Sequence, residues 1–282
     1  MMNLHYRLAS LIFLLIIGSF CLLAANASQT NTQSNKSIKA QPITVNYLTS
    51  LHSYFPALLK LALDKSAAIY GPYTMIEKPW LGPKQRMRKL LTEQKHIDVI
   101  WGTSSPAREQ ELKAIKINIL KGLNQYRLLL IHPNTQDKFS RIDNLDALKK
   151  VTGIVGAYWQ DTEIMQRNQL PLVTALNYQN AIAMFAKKRA DYFPRGIYEV
   201  WYELTTPEFS NFVLEQTLML KYSAQYYFFV NHNNHVLAER IEAGLKLAQQ
   251  DGSFDRLYFS YPEFAKGWQV RSDTKRKIIY LP

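Results

Sequence analysis

From residue 42 onward the apolar residues of this chain recur with two alternating periods, one of two residues and one of three to four. ITVNYL (43–48) reads as a strand, and Tyr54 to Tyr70 carries Phe55, Leu58, Leu59, Ala62 and Leu63 at helical spacing, so the chain opens β then α. Gly71 and Pro72 break that helix; PYTMIEK then reads as a second strand, residues 85–94 as a second helix and HIDVIW (96–101) as a third strand. Residues 117–134, INILKGLNQYRLLLIHPN, read as one extended and largely buried strand that crosses out of this first unit.

A second βα series follows. A helix starts at Asp143 or Asn144, residues 151–159 read as a strand, and Asp161 is placed as the N-cap of a helix with Glu163 in its first turn. Tyr178 to Lys188 is amphipathic, with Tyr178, Ala181, Ile182 and Phe185 on one stripe. Asp191 to Phe193 reads as a short strand that Pro194 ends, since proline has no N–H to donate. Phe209 to Leu220 reads as another periodic helix, residues 222–234 as a second crossing strand, and Val236 to Gln250 as a helix closed by Asp251 and Gly252. The last 30 residues are aromatic and basic without a clear period.

A βα series, a crossing strand, a second series and a crossing back predict an α/β fold of two lobes joined by two crossover segments. The expected division is 42–130 with 223–282 as the first lobe and 131–222 as the second.

The first 41 residues follow a different pattern. His5 and Arg7 precede an apolar run from Leu11 to Ile17, and Ala25, Asn26 and Ala27 close the segment, which is the pattern of a cleaved secretory signal over residues 1–27. Residues 28–41 are polar and patternless, a disordered lead-in. Cys21, the single cysteine, lies inside the signal, and Phe20 before it is too large for lipoprotein processing, so a mature chain carries no thiol for disulfides, catalysis or metal binding. It keeps 33 basic against 22 acidic residues, a formal charge of +11 that suits anionic envelope surfaces or solutes. Nucleic acid is a poor partner for an exported, periplasmic chain.

Candidate chemistry gathers at two strand ends. GTSSPAR (102–108) offers three hydroxyls and backbone donors beside Arg108; in the plainer reading Ser105 caps a helix that begins at Pro106, and the two are compatible. In DYFPRG, Arg195 follows a strand directly, and ligands of open α/β sheets bind beyond the carboxyl ends of the strands. The expectation is that Arg108 and Arg195 face each other across a cleft and share an anion, the alternative for Arg195 being a structural pair with Glu199. Glu199, Glu203 and Glu208 read as a solvated helical face rather than a hydrolytic pair. The histidines have no metal-ligand spacing, and no G-x-S-x-G, P-loop or H-E-x-x-H motif is present, so neither metal nor cofactor nor catalysis is expected.

HIDVIWGTSSPAR, GIVGAYWQDT and AGLKLAQQDGSFDRLY together resemble extracytoplasmic solute-binding proteins of family 3, the fold of polar amino-acid receptors for ABC importers. More narrowly the chain resembles members with W-P-D-T and D-Y-F-P-R segments, although Gln160 stands in place of that proline. The resemblance implies that Arg108 holds a ligand carboxylate, helped by Thr103 and Ser104 and by the second-lobe helix start at Asp161 and Thr162. An Asp near the end of the strand at 191–195 usually holds the α-ammonium in that family; Arg195 stands close to its place, so an ordinary amino acid is not the expected ligand. Trp101 and Tyr158 are candidate walls. The expected function is closure on a small anionic solute for delivery to a membrane permease, the alternative being an envelope sensor or accessory protein that docks on a membrane partner.

Overall fold

Twelve strands form among the described residues of the computed structural model, which are 42–50, 52–79, 84–273 and 275–282. In chain order they are β1 (Ile43–Leu48), β2 (Tyr73–Lys78), β3 (Val99–Thr103), β4 (Leu112–Ile115), β5 (Tyr126–Ile131), β6 (Gly153–Gly156), β7 (Leu172–Ala175), β8 (Tyr192–Gly196), β9 (Val213–Leu214), β10 (Leu218–Lys221), β11 (Tyr226–Asn231) and β12 (Lys277–Tyr280). The signal sequence, its cleavage site, Cys21 and the lead-in lie outside the described residues.

The strands make two sheets and hence two lobes. The first runs β2-β1-β3-β11-β4, parallel through β1, β2 and β3 and antiparallel at β11. The second runs β12-β10-β5-β8-β6-β7, with β9 beside β5. The helix Tyr54–Tyr70 buries Phe55, Leu58, Leu59, Ala62 and Leu63, the stripe that its spacing predicts. It packs on helix His235–Gln250 so closely that a Cβ on Gly244 would stand 1.8 Å from the Ala62 carbonyl oxygen, so only glycine permits this approach.

Several elements depart from the periodicity. Residues 117–125 form turns and a short 3-10 helix, Leu123–Gln125, so the first crossover is a bent linker that becomes a strand only at Tyr126. Residues 209–220 form no α-helix: Phe209 ends a one-turn 3-10 helix, and β9 and β10 both pair with β5, which buries Leu218, Met219 and Leu220 in a way that one helical face would not. Pro194 lies inside β8. The Ile197 N–H donates to the Tyr126 carbonyl, and the alternation along an antiparallel pair then turns the Pro194 nitrogen away from β5. On the other side β8 pairs with β6 only at Gly153 and Tyr192, so the ladder with β6 stops short of Pro194, which has no N–H to continue it, while the ladder with β5 runs on to Gly196.

The lobe boundaries shift as well. β5 joins the second sheet from Tyr126, and the C-terminal segment, assigned above to the first lobe, leaves helices Ser253–Phe259 and Pro262–Arg271 and enters the second sheet as β12. The chain therefore passes between the lobes three times. Arg276 fixes the last passage through Nη1, which donates to the carbonyls of Glu215 at 2.6 Å and Leu218 at 3.0 Å.

Candidate functional site: the cleft between the sheets

The first-lobe side of the cleft is built where β3 ends. Ser105 accepts a hydrogen bond from the Arg108 N–H at 3.3 Å and Pro106 opens the helix Pro106–Glu111, the cap that the sequence offers. The Thr103 hydroxyl accepts from Asn124 at 3.2 Å, and the Ser104 hydroxyl donates to Glu109 at 2.5 Å. Arg108 turns back on its own loop: Nη1 donates to the Thr103 carbonyl, the guanidinium lies 5.6 Å from the centre of the Phe229 ring, and the buried Nε has no partner. Burial, with Arg88 nearby, lowers its pKa. Trp101 is half-buried and stacks on Phe55, which stacks in turn on Tyr226, with centroids 5.6 and 5.3 Å apart.

The second-lobe side carries two buried ion clusters. Arg127, on β5, donates from Nε to Asp161 at 2.6 Å, and the Tyr222 hydroxyl donates to the same carboxylate oxygen. Burial pushes the Asp161 carboxyl up, but Arg127 and Tyr222 outweigh it and hold it below the usual range. Asp161 is thus not the N-cap; Trp159 occupies that position, and Asp161 lies within the helix Gln160–Arg167. Thr162 donates its hydroxyl to the Gly156 carbonyl at 2.7 Å and is buried, while Tyr158 projects into solvent.

The second cluster surrounds Arg195. Its Nε lies 2.9 Å from both carboxylate oxygens of Glu203 and its Nη2 is 2.6 Å from one of them, with Glu199 at 3.1 Å. The rings of Trp159, Tyr178 and Phe193 stand around the guanidinium at 5.0 to 5.2 Å, and Tyr178 donates to Glu203 at 2.7 Å. Glu203 is therefore buried rather than part of a solvated face, and its helix, Val200–Glu203, brings it back over the end of β8. The anion that meets Arg195 here comes from its own chain. The pairing with Glu199 is present too, but it is the weaker of the two contacts.

Glu199 is different from its neighbours. Its side chain is 37% exposed against 8% for Glu203, and it accepts from the Gly196 N–H at 3.0 Å. A Cβ on Gly196 would lie 2.8 Å from the Glu199 carboxylate, so the glycine makes room for it. Burial raises its pKa, but Arg195, Arg127 and the Gly196 N–H more than offset this and keep it ionised. Its negative charge acts to raise the pKa of His52 and of Tyr226, both in the first lobe. Gln160 also reaches the first lobe, through Nε2 to the Ser104 carbonyl at 2.9 Å, while its Oε1 is buried without a partner.

The structure therefore brings Thr103 and Ser104 to the cleft with Gln160 and Glu199, two residues that motif reasoning did not select. It commits Asp161, Thr162 and Arg195 to partners within the second lobe. One signal was available for Glu199, its spacing of four from Arg195. Among the described residues no three His, Cys, Asp or Glu side chains are grouped to hold a metal ion.

No protein-family model and no curated protein sequence matches the chain. Among solved structures it is similar to an ancestral arginine-binding protein bound to glutamine, with a TM-score of 0.58 at 15% identity, covering 77% of this chain and 97% of that one. It is also similar to a histidine kinase sensor domain with similarity to periplasmic binding proteins, with a TM-score of 0.58 at 13% identity, over 79% and 96% of the two chains. The probable amino-acid ABC transporter extracellular-binding protein ytmK from Bacillus subtilis gives 0.56 at 17% identity, over 79% and 98%. At these identities the likeness is one of fold, and the fold is the two-lobed α/β architecture of periplasmic binding proteins, with crossovers between the lobes.

Proposed function

We propose that this protein is an extracytoplasmic binding protein that closes its lobes on a small solute, and that the solute presents a cationic nitrogen to Glu199. One observation carries this reading: Glu199 is the cleft carboxylate with substantial exposure, and its guanidinium neighbour Arg195 is already met at two points by Glu203. Around Arg127 and Arg195 stand three carboxylates, Asp161, Glu199 and Glu203, so this half of the cleft carries an excess of negative charge. A charge-assisted hydrogen bond to an ammonium group is the favourable way to use such a carboxylate. The unpartnered Oε1 of Gln160 adds a second acceptor.

An anionic end of the same solute falls to Arg108, which is held by a backbone carbonyl rather than a carboxylate, with Thr103, Ser104 and Trp101 beside it. This replaces a shared clamp of Arg108 and Arg195 by a divided site, one charge on each lobe. Delivery to an ABC importer fits the likeness to transporter binding proteins, and signalling to a membrane partner fits the likeness to a kinase sensor domain. Both uses share hinge closure as the mechanism.

A thermal-shift panel on residues 28–282, made of L-amino acids, polyamines, dicarboxylates and inorganic phosphate, tests the reading. Stabilisation by compounds that carry a cationic nitrogen supports it. Stabilisation by dicarboxylates or phosphate alone overturns it.

A further inference from the structure

The contact between Gln160 and Ser104 has properties that the binding site alone does not require. Gln160 opens the helix Gln160–Arg167 of the second lobe, and Ser104 lies between β3 and the helix Pro106–Glu111 of the first. Among the described residues, other side-chain hydrogen bonds near the cleft reach the linker at 118–125 or stay within one lobe. The 2.9 Å bond from Gln160 Nε2 spans the two lobes directly.

The chemistry of the two groups fixes the direction of this bond. A carbonyl oxygen only accepts, so the amide must turn its NH2 end to Ser104. Its Oε1 is then left buried and unpartnered. A buried polar atom without a partner calls for an explanation, and here the cross-lobe bond of the same amide is what holds the oxygen in that state.

We infer that Gln160 is a closing latch, a side chain whose amide N–H donates across the cleft and sets the balance between open and closed lobes. The latch rests on the proposed closing cleft, but its test needs no solute. The chain from 28 to 282 has no cysteine, so spin labels on Gln110→Cys and Gln166→Cys, two exposed positions on opposite sides of the cleft, report the lobe separation by double electron–electron resonance.

A neutral hydrogen bond changes such a ratio by roughly threefold to tenfold, so Gln160→Leu should deplete the short-distance component by that factor. Gln160→Glu should do the same at neutral pH, where a carboxylate faces the Ser104 carbonyl, and recover when acidified to about pH 4, where the carboxyl regains a proton to donate. An unchanged distribution in Gln160→Leu, or a Gln160→Glu variant whose distances ignore pH, overturns the latch. Either result leaves the role of Glu199 standing, and absence of solute binding leaves the latch measurable.

Discussion

Arg195 and Glu203, eight residues apart, form an ion pair in which one guanidinium edge faces both carboxylate oxygens at 2.6 to 2.9 Å, and the two side chains are only 9% and 8% exposed. Burial disfavours the charge on Arg195, and Glu203 and Glu199 restore it, leaving its pKa above the ordinary value. Such a pair orders the end of β8 without being free to seize a solute.

Breaking the pair should therefore act on stability. Arg195→Met leaves a buried carboxylate without its cation, a loss of about 3–5 kcal/mol. The double variant Arg195→Met, Glu203→Leu should recover most of it, because the buried carboxylate goes with its cation and only the part-exposed Glu199 loses a partner. Urea unfolding midpoints of the three proteins decide this; a single variant within about 1 kcal/mol of the parent would mean that the pair is not structural.

Acid should weaken the fold through the Arg127–Asp161 pair. The Asp161 carboxyl lies below its ordinary 3.8 when folded, so its contribution is complete above that value and is lost as pH falls through the folded pKa. Glu199, also lowered, from 4.5, adds a contribution of the same sign. Melting temperatures between about pH 2.5 and 6 should fall on acidification, and Asp161→Asn should flatten that fall while lowering stability at neutral pH.

The C-terminal passage should hold the second sheet together. Glu215 is fully buried, accepts from the N–H groups of Thr217 and Leu218, and has Arg276 at 3.7 Å as its cation. Arg276→Ala should cost about 3 kcal/mol by stranding that charge and two carbonyls. Hydrogen exchange would then quicken first at β10 and β12, and exchange that quickens only in the first lobe would contradict the assignment.

The sequence made the first lobe readable because its helices carry long, regular stripes. Tyr54–Tyr70 and the helix to Gln250 meet at Gly244 as their patterns require. It hid the third passage because KIIY is a four-residue strand whose burial depends on β10, some sixty residues earlier. It misread 209–220 because FVLEQTLML satisfies a helical stripe and a pair of short strands equally well, and only β5 decides between them. The two strands that carry Arg108 and Arg195 to their loops were legible, β3 running on to Thr103 and β8 to Gly196, but the partners of the side chains that follow were not. Whether Arg195 meets a solute or Glu203 depends on how the chain turns after Gly196, and the Gln160 contact depends on a residue in the other lobe. Neither relation leaves a local spacing to find.

The most direct test of the account is calorimetry on the solute that the thermal-shift panel identifies, with the parent protein and Glu199→Gln side by side. A charged hydrogen bond of this kind contributes roughly 1.5–3 kcal/mol, so the variant should bind at least tenfold more weakly at a temperature where both proteins are folded. Equal affinity in the two proteins would contradict the assignment of Glu199 as the group that receives the cationic nitrogen.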